Sequence, residues 1–546
     1  MNGDQAVVEV LKREGTEWIA AFPYQGLIEQ AVRAGIRPII CRQERVGVNM
    51  ADGFSRISNG RRIGVFTMQS GPGAENAYAG VAQAFADSVP ILVLPGGPGA
   101  TSTQIHPVFE APKHYAGVTK WAGSINVPSR LPSLMRYAYT QLRHGRPGPV
   151  LLEIPGDVAR QDQPGDTLEY TPPKTYRSEA DAGDVRDIVS TLLSASRPVL
   201  CAGQGVLMAE ATDELTELAE LTDTPMMATM AGKSAFSEEH PLSLGAGGRS
   251  GTLMVAHFMR AADFILGVGT SFTRSGFTVP MPAGTPLGQI TNCPEDINKD
   301  QRVEHVALGD AKLVLRQVID EVKRRHESGK TRDAGRYTDE LDAVRSEFMA
   351  EWGPRLTSDE TPMSPYRVFH ELASVVDVGN AIVTHDAGYP RDQLVPMWRP
   401  TTPRGYIGWG KSTQLGYGLG LAMGAKLAAP ERHVINVMGD AAFGMTGLDI
   451  ETAVRSRIGI TTIVLNNGVM TGYDQHMPEA TAHWDSNELA GDYADIGAAL
   501  GAHAQRVETP DELAGAFRAA FAANAEGRPA VVEAMTKAEK AVSLHW

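Results

Sequence analysis

The chain has 546 residues, room for three or four domains at about 150 residues each. Hydrophobic side chains make up 42% and charged ones 21%, enough apolar material for several cores, so disorder is excluded for the bulk of the chain. The formal charge of −14, with no long basic run, argues against nucleic acid or an anionic membrane surface as a partner, although one small phosphate ligand needs only a local site.

The first fourteen positions carry charge at Asp4, Glu9, Lys12, Arg13 and Glu14 and lack the apolar core of a signal peptide. Arg37-Pro38-Ile39-Ile40-Cys41 reads as a strand, and 44–58 as the helix that follows it. Ile63-Gly64-Val65-Phe66-Thr67 reads as a second strand, with a glycine turn and a helix over 71–86 after it, and Pro90-Ile91-Leu92-Val93-Leu94 as a third. Strands alternating with helices give parallel sheets covered on both faces. This block closes at Val150-Leu151-Leu152-Glu153-Ile154-Pro155, and the polar stretch 161–183 suits a linker. A second block opens at Pro198-Val199-Leu200-Cys201-Ala202-Gly203 and ends with a helix over 311–322, followed by a charged linker over 323–339. A third block runs over 364–535. The expected architecture is α/β, three consecutive doubly wound parallel-sheet domains over 1–165, 185–325 and 360–540. No apolar run is long enough to span a membrane. Cys41, Cys201 and Cys293 form neither a metal-ligand pattern nor a disulfide framework, so a cytoplasmic protein is expected.

The third block carries the strongest chemical signal. Val434-Ile435-Asn436-Val437-Met438 reads as a buried strand that runs straight into Gly439-Asp440-Ala441-Ala442-Phe443. A helix with Leu448, Ile450, Val454 and Ile458 on its apolar side is expected next, then a strand Thr461-Thr462-Ile463-Val464-Leu465 ending in Asn466-Asn467-Gly468. Two strand ends thus each present an oxygen donor, Asp440 and Asn467, at the edge of an open sheet where ligands bind. A carboxylate, an amide oxygen and a nearby carbonyl suit magnesium or calcium, and the helix start beside Asp440 suits a phosphate. Three weaker signals are Glu44 at a helix start, the turn Gln69-Ser70-Gly71-Pro72-Gly73-Ala74-Glu75-Asn76, and Gly416-Tyr417-Gly418-Leu419-Gly420 in an apolar helix. Alone, each has a plain structural explanation: a dipole-compensating acid, a tight turn, close helix packing.

Taken in order, these motifs resemble the thiamine diphosphate (ThDP)-dependent superfamily of acetolactate (acetohydroxyacid) synthase, pyruvate oxidase and benzoylformate decarboxylase. Ala51-Asp52-Gly53-Phe54-Ser55-Arg56 and Gly145-Arg146-Pro147-Gly148-Pro149-Val150 strengthen the resemblance, which covers nearly the whole chain. It implies ThDP between the first domain of one subunit and the third domain of another, hence a homodimer or homotetramer. Glu44 matches the glutamate that exchanges a proton with the aminopyrimidine ring, and Leu415 the bulky residue that holds the cofactor bent. Asp440, Asn467 and the carbonyl of Val469 match the magnesium ligands. Gly71, Asn76, Asp386, Tyr389, Gly439, Ala441 and Ala442 fall where relatives contact the cofactor.

The chain departs from the family pattern in places. Gly439-Asp440-Ala441 replaces Gly-Asp-Gly, Gln43 stands where many relatives have His, and Ile105-His106-Pro107-Val108-Phe109-Glu110 holds no glutamine in place of a Phe-Gln-Glu segment. His106, His114, Tyr473 and His476 are the candidates for substrate contact. Some relatives bind FAD in the central domain. Here the lone Gly203-Gln204-Gly205 is a poor flavin signal, so the expected cofactors are ThDP and Mg2+ without FAD, a point the sequence leaves open. The implied reaction is decarboxylation of a 2-oxo acid with carboligation of the resulting enamine to a second carbonyl compound. The alternatives are a non-ligating decarboxylase or C–C lyase and, remotely, a catalytically inactive binding protein.

Overall fold

The computed structural model describes residues 1–546 apart from 165–167, 328–334, 409 and 413. Its short apolar runs form three sheets, and every strand pairing in them is parallel. The first contains β1 (Trp18–Phe22), β2 (Arg37–Ile40), β3 (Gly64–Met68), β4 (Ile91–Gly97), β5 (Trp121–Ser124) and β6 (Val150–Pro155), in the order β2-β1-β3-β4-β6-β5. The second contains β7 (Pro198–Ala202), β8 (Met226–Thr229), β9 (Ser243–Gly247), β10 (Phe264–Val268), β11 (Leu287–Thr291) and β12 (His305–Leu308), ordered β12-β11-β10-β7-β8-β9. The third contains β13 (Ala381–His385), β14 (His433–Gly439), β15 (Thr461–Asn466), β16 (His503–Val507) and β17 (Ala530–Met535), ordered β13-β14-β15-β17-β16. Continuous apolar strands such as β3, β7 and β10 are buried along their whole length, as strands covered by helices on both faces must be. No helix among the described residues is long and apolar enough to cross a membrane.

Two expectations about the elements need correction. The helix after β12 runs over Ala311–Glu327, and the next helix begins at Thr338, so much of the expected charged linker over 323–339 is helical; positions 328–334 lie outside the described residues. The single helix expected after Asp440 is broken. It consists of Asp440–Thr446, a 3-10 turn Gly447–Asp449 and Ile450–Ser456. Gly447 sits under the Phe443 ring, where a Cβ would collide, and Arg457 ends the second piece in the left-handed region. Leu448, expected in the core, is therefore 61% exposed.

The first and third domains meet through helices Glu44–Ile57 and Tyr417–Ala428. Their backbones approach closely because glycine lies at each crossing point: a Cβ on Gly53 would collide with the carbonyl of Leu421, and one on Gly424 with that of Met50. Beside this seam Arg56, 1% exposed, donates to Asp52 at 2.9 Å, to the Tyr417 hydroxyl at 2.8 Å and to Asp87 at 3.3 Å. The Ala51–Arg56 motif thus joins two domains. Breaking such a buried network leaves a charge uncompensated, which makes it a lock on domain placement.

Candidate cofactor site

Parallel pairing of β13, β14 and β15 brings their C-terminal ends side by side, and the residues that follow form one edge: Asp386, Asp440 and Asn467. Asp440 is 4% exposed. Its Oδ1 accepts the Ala441 N–H at 2.7 Å, and its Oδ2 accepts those of Gly468 at 2.9 Å and Asn467 at 3.3 Å. The carboxylate therefore ties the end of β14 to the loop after β15. Burial pushes its pKa up, against the pull of these N–H groups. The Asn467 amide is oriented by its own loop: Nδ2 donates to Thr471 Oγ1 at 3.0 Å, and Oδ1 accepts from Val469 N–H at 3.1 Å. The loop is held from outside by Leu489 N–H to the Gly468 carbonyl at 2.8 Å and Met470 N–H to the Asn487 carbonyl at 2.7 Å. Ala442 is buried and Ala441 half-buried at the start of helix Asp440–Thr446. Gly439 abuts Pro390, and the Tyr389 hydroxyl packs against Gly472.

With both Asp386 oxygens on backbone N–H groups, this edge offers one carboxylate, Asp440, with one amide oxygen and backbone carbonyls. Among the described residues no group of three or more His, Cys, Asp or Glu could hold a metal. So small a negative charge holds a dication only when an anionic ligand shares it, which is how magnesium is bound beside phosphates.

Family models match most of the chain. Residues 1–116 match the thiamine pyrophosphate enzyme N-terminal TPP binding domain, 185–318 the central domain and 386–534 the C-terminal TPP binding domain. The chain belongs to the thiamine pyrophosphate enzymes. Its relatives include a probable acetolactate synthase large subunit from Methanococcus aeolicus, 27% identical over 95% of this chain and 90% of the relative. Acetolactate synthase isozyme 3 large subunit from Escherichia coli strain K12 is 28% identical over 86% of this chain and 82% of its own length. Glyoxylate carboligase from Escherichia coli O157:H7 is 27% identical over 100% of this chain and 94% of its own length.

In this thiamine pyrophosphate enzyme Glu44 is 3% exposed at the first turn of its helix, and Asn76 Nδ2 donates to its Oε2 at 3.2 Å. Asn76 lies on helix Pro72–Ala86, which starts after Gly71 at φ +68°. The next residue, Arg45, points elsewhere: its guanidinium stands beside Gly416 and faces Asp386 in the third domain, and its Nε has no partner among the described residues. Sequence reasoning missed Arg45, whose only signal was adjacency to Glu44. Leu415 is half-buried just before Gly416. Asp386 is 0% exposed, and both its oxygens accept backbone N–H groups.

The substrate candidates fall into two groups. His106 lies exposed in the loop after β4, and His114 stacks on Phe109 with ring centroids 4.4 Å apart while its Nδ1 is 2.9 Å from the Glu110 carbonyl. Tyr473 and His476 are exposed on the short helix beyond the Asn467 loop.

A cleft of about 680 Å3 lies elsewhere, between the first and central domains. The glycines of Gly203-Gln204-Gly205 serve packing there. Cβ atoms on Gly203 or Gly205 would strike Gly269, and Gln204 Nε2 donates to the Asp87 carbonyl at 2.7 Å. The cleft's arginines are neutralised: Arg146 by Asp296 at 2.6 Å, Arg61 by Glu210 at 3.1 Å and Arg177 by Asp310 at 3.7 Å.

Against Gly97 at the end of β4, Glu153 is 6% exposed and accepts from Ser124 Oγ at 2.9 Å. Burial, with the nearby Glu110 charge adding, pushes its pKa from 4.5 up to about 7. A carboxyl raised on folding contributes stability fully below its unfolded pKa and loses it as pH rises through the folded one. Glu153→Gln is therefore expected to unfold later than wild type at pH 8, by up to about 3 kcal/mol, and to show no advantage near pH 4.5. Urea unfolding at the two pH values checks this, and an advantage independent of pH would disprove it.

Proposed function

We propose that this thiamine pyrophosphate enzyme is a magnesium-dependent carboligase, removing carbon dioxide from a 2-oxo acid and joining the remaining acyl carbon to a second carbonyl compound. The observation that carries the reading is the tie of Asp440 to Asn467 and Gly468, one carboxylate beside an oriented amide at two neighbouring strand ends. The names of the relatives, acetolactate synthase and glyoxylate carboligase, favour ligation over simple decarboxylation. When bound, thiamine diphosphate supplies a carbon nucleophile and an electron sink for the loss of carbon dioxide. The chain's own part is binding, orientation and proton transfer. Asp440, Asn467 Oδ1 and the Val469 carbonyl would hold magnesium against the diphosphate, with Gly439, Ala441, Ala442 and Tyr389 around it. Glu44, oriented by Asn76, would exchange a proton with the aminopyrimidine ring, and Leu415 would keep the cofactor bent. Gly71 would border the same ring. We propose no FAD, because the cleft that would receive it presents its arginines already paired with carboxylates.

We further propose a homodimer or homotetramer with the site between subunits. Tyr78 and Phe85 are 37% and 41% exposed on the helix that carries Asn76, and Met445 and Leu448 are 52% and 61% exposed beside Asp440. Apolar surface flanking both halves of a site suits a second copy. A cytoplasmic location accords with three buried, unbridged cysteines.

The test is a paired assay of cofactor-stripped protein with pyruvate, with and without ThDP and magnesium, following carbon dioxide and product. Release that needs both cofactors and yields acetolactate supports the reading. Acetaldehyde as sole product replaces it with a non-ligating decarboxylase. Magnesium-dependent ThDP binding without release removes pyruvate as donor, and absence of ThDP binding overturns the reading.

A further inference from the structure

Helix Tyr417–Ala428 begins under an unusual constraint. Its N-cap, Gly416, lies at φ +85° and has no side chain to accept the first N–H groups of the helix. A Cβ there would crowd Thr446 and the Arg45 guanidinium, so glycine is required and the cap must come from elsewhere. It comes from Asp386, at the end of β13. Oδ1 accepts from Gly416 N–H at 2.8 Å and from Ala387 N–H at 2.8 Å, and Oδ2 accepts from Gly418 N–H at 2.9 Å. Asp386 is itself fixed to the sheet by its own N–H on the Val437 carbonyl at 2.8 Å. The residue just before Gly416 is Leu415.

We propose that Asp386 is a positioning residue: a cap supplied from β13 that sets the height and direction of the Leu415–Gly416 turn, and not a contact to the diphosphate. The inference rests on the thiamine diphosphate reading of the site for the importance of Leu415, but the cap itself does not. A carboxylate with 0% exposure and three N–H groups on its two oxygens presents no surface to a ligand, and its charge would repel a diphosphate. The turn it holds is one on which small displacements are costly, since a misplacement of about 1 Å at a reacting centre costs roughly a hundredfold in rate. Arg45 faces the same carboxylate from the helix that begins with Glu44, so one cation connects the proton-exchange helix to the turn.

The experiment compares Asp386→Asn with wild type and Leu415→Ala. Asparagine keeps one acceptor oxygen but turns an NH2 toward a backbone N–H. Three quantities are read: hydrogen exchange of a peptide over 414–420 in cofactor-free protein, ThDP affinity with magnesium, and deuterium exchange at the reactive carbon of bound ThDP. Asp386→Asn is expected to speed amide exchange over 414–420 by about tenfold or more. It should slow exchange at the cofactor carbon by about tenfold or more, with ThDP affinity held within about threefold. Leu415→Ala should slow exchange at the cofactor carbon and leave the amides protected. Unchanged amide exchange in Asp386→Asn, or ThDP binding tightened about tenfold by removal of the charge, would overturn the proposal. If Asp386→Asn does not fold, the wild-type amides decide: Gly416 and Gly418 must be as protected as the interior of the helix, and fast exchange there overturns the cap. If wild type fails to bind ThDP, the functional reading falls while the amide comparison still judges the cap.

Discussion

Glu44→Gln is expected to lower turnover by about 10²–10⁴-fold while leaving magnesium-dependent ThDP binding within about threefold. The carboxyl is buried at a helix start, and its one hydrogen bond among the described residues comes from Asn76. Glutamine keeps the volume and the capacity to accept that bond, so the pocket survives. What it cannot do is carry a proton away and return it. A group that acts through proton transfer loses rate without losing affinity. Steady-state kinetics together with ThDP titration of the same preparation separate the two. Turnover within threefold of wild type would remove Glu44 from proton transfer, and loss of binding with turnover restored at saturating cofactor would make it a binding group only.

Asp440→Asn is expected to weaken magnesium-dependent ThDP binding by about a hundredfold or more. Asparagine can keep its oxygen on the Gly468 and Asn467 N–H groups, so the two strand ends stay tied, while its NH2 faces the Ala441 N–H that Oδ1 accepted. It loses the only carboxylate in the proposed donor set, and neutral oxygens alone hold the dication weakly. The buried carboxylate is a burden to the cofactor-free fold, because charge taken out of water needs compensation. Relief of that charge offsets the loss of the Ala441 bond, so cofactor-free Asp440→Asn should unfold within about 1 kcal/mol of wild type. Added ThDP and magnesium should raise the midpoint of the wild type alone, as ligands that bind only the folded state do. Thermal unfolding with and without both ligands checks this, and equal stabilisation of the two proteins would exclude Asp440 as a magnesium ligand.

The two variants test different halves of one site, carried on different domains. The chain's own Arg45 faces its third domain, whereas Glu44 turns toward Asn76 and a helix with exposed Tyr78 and Phe85. Under the proposed dimer, mixing Glu44→Gln with Asp440→Asn protein would restore part of the activity if subunits exchange, since some pairs would combine two intact halves.

What the sequence determined by itself was local. The three rounds of strand and helix were legible because buried parallel strands are continuous apolar runs and covering helices are not. Asp440 and Asn467 were legible for the same reason: each follows directly on the strand that aims it, so naming the strand places the residue at the sheet edge. Glu44 owed its selection to the family resemblance, since an acid at a helix start is ordinary on its own. The tertiary structure decided what depends on approach between distant segments. The resemblance alone listed Asp386 among the cofactor contacts; that its oxygens meet the Gly416 and Gly418 N–H groups depends on a segment 30 residues away. Leu448 fitted an apolar helical spacing until Gly447, packed under Phe443, broke the helix and turned it outward. The glycines of Gly203-Gln204-Gly205 carried little signal in the sequence, and only the fold shows that they are spent on contact with Gly269. Periodicity reports only whether a side chain meets water or core. Which backbone N–H a carboxylate finds, and where a glycine is needed for clearance, are set by segments far away in the chain, and no local pattern carries that information.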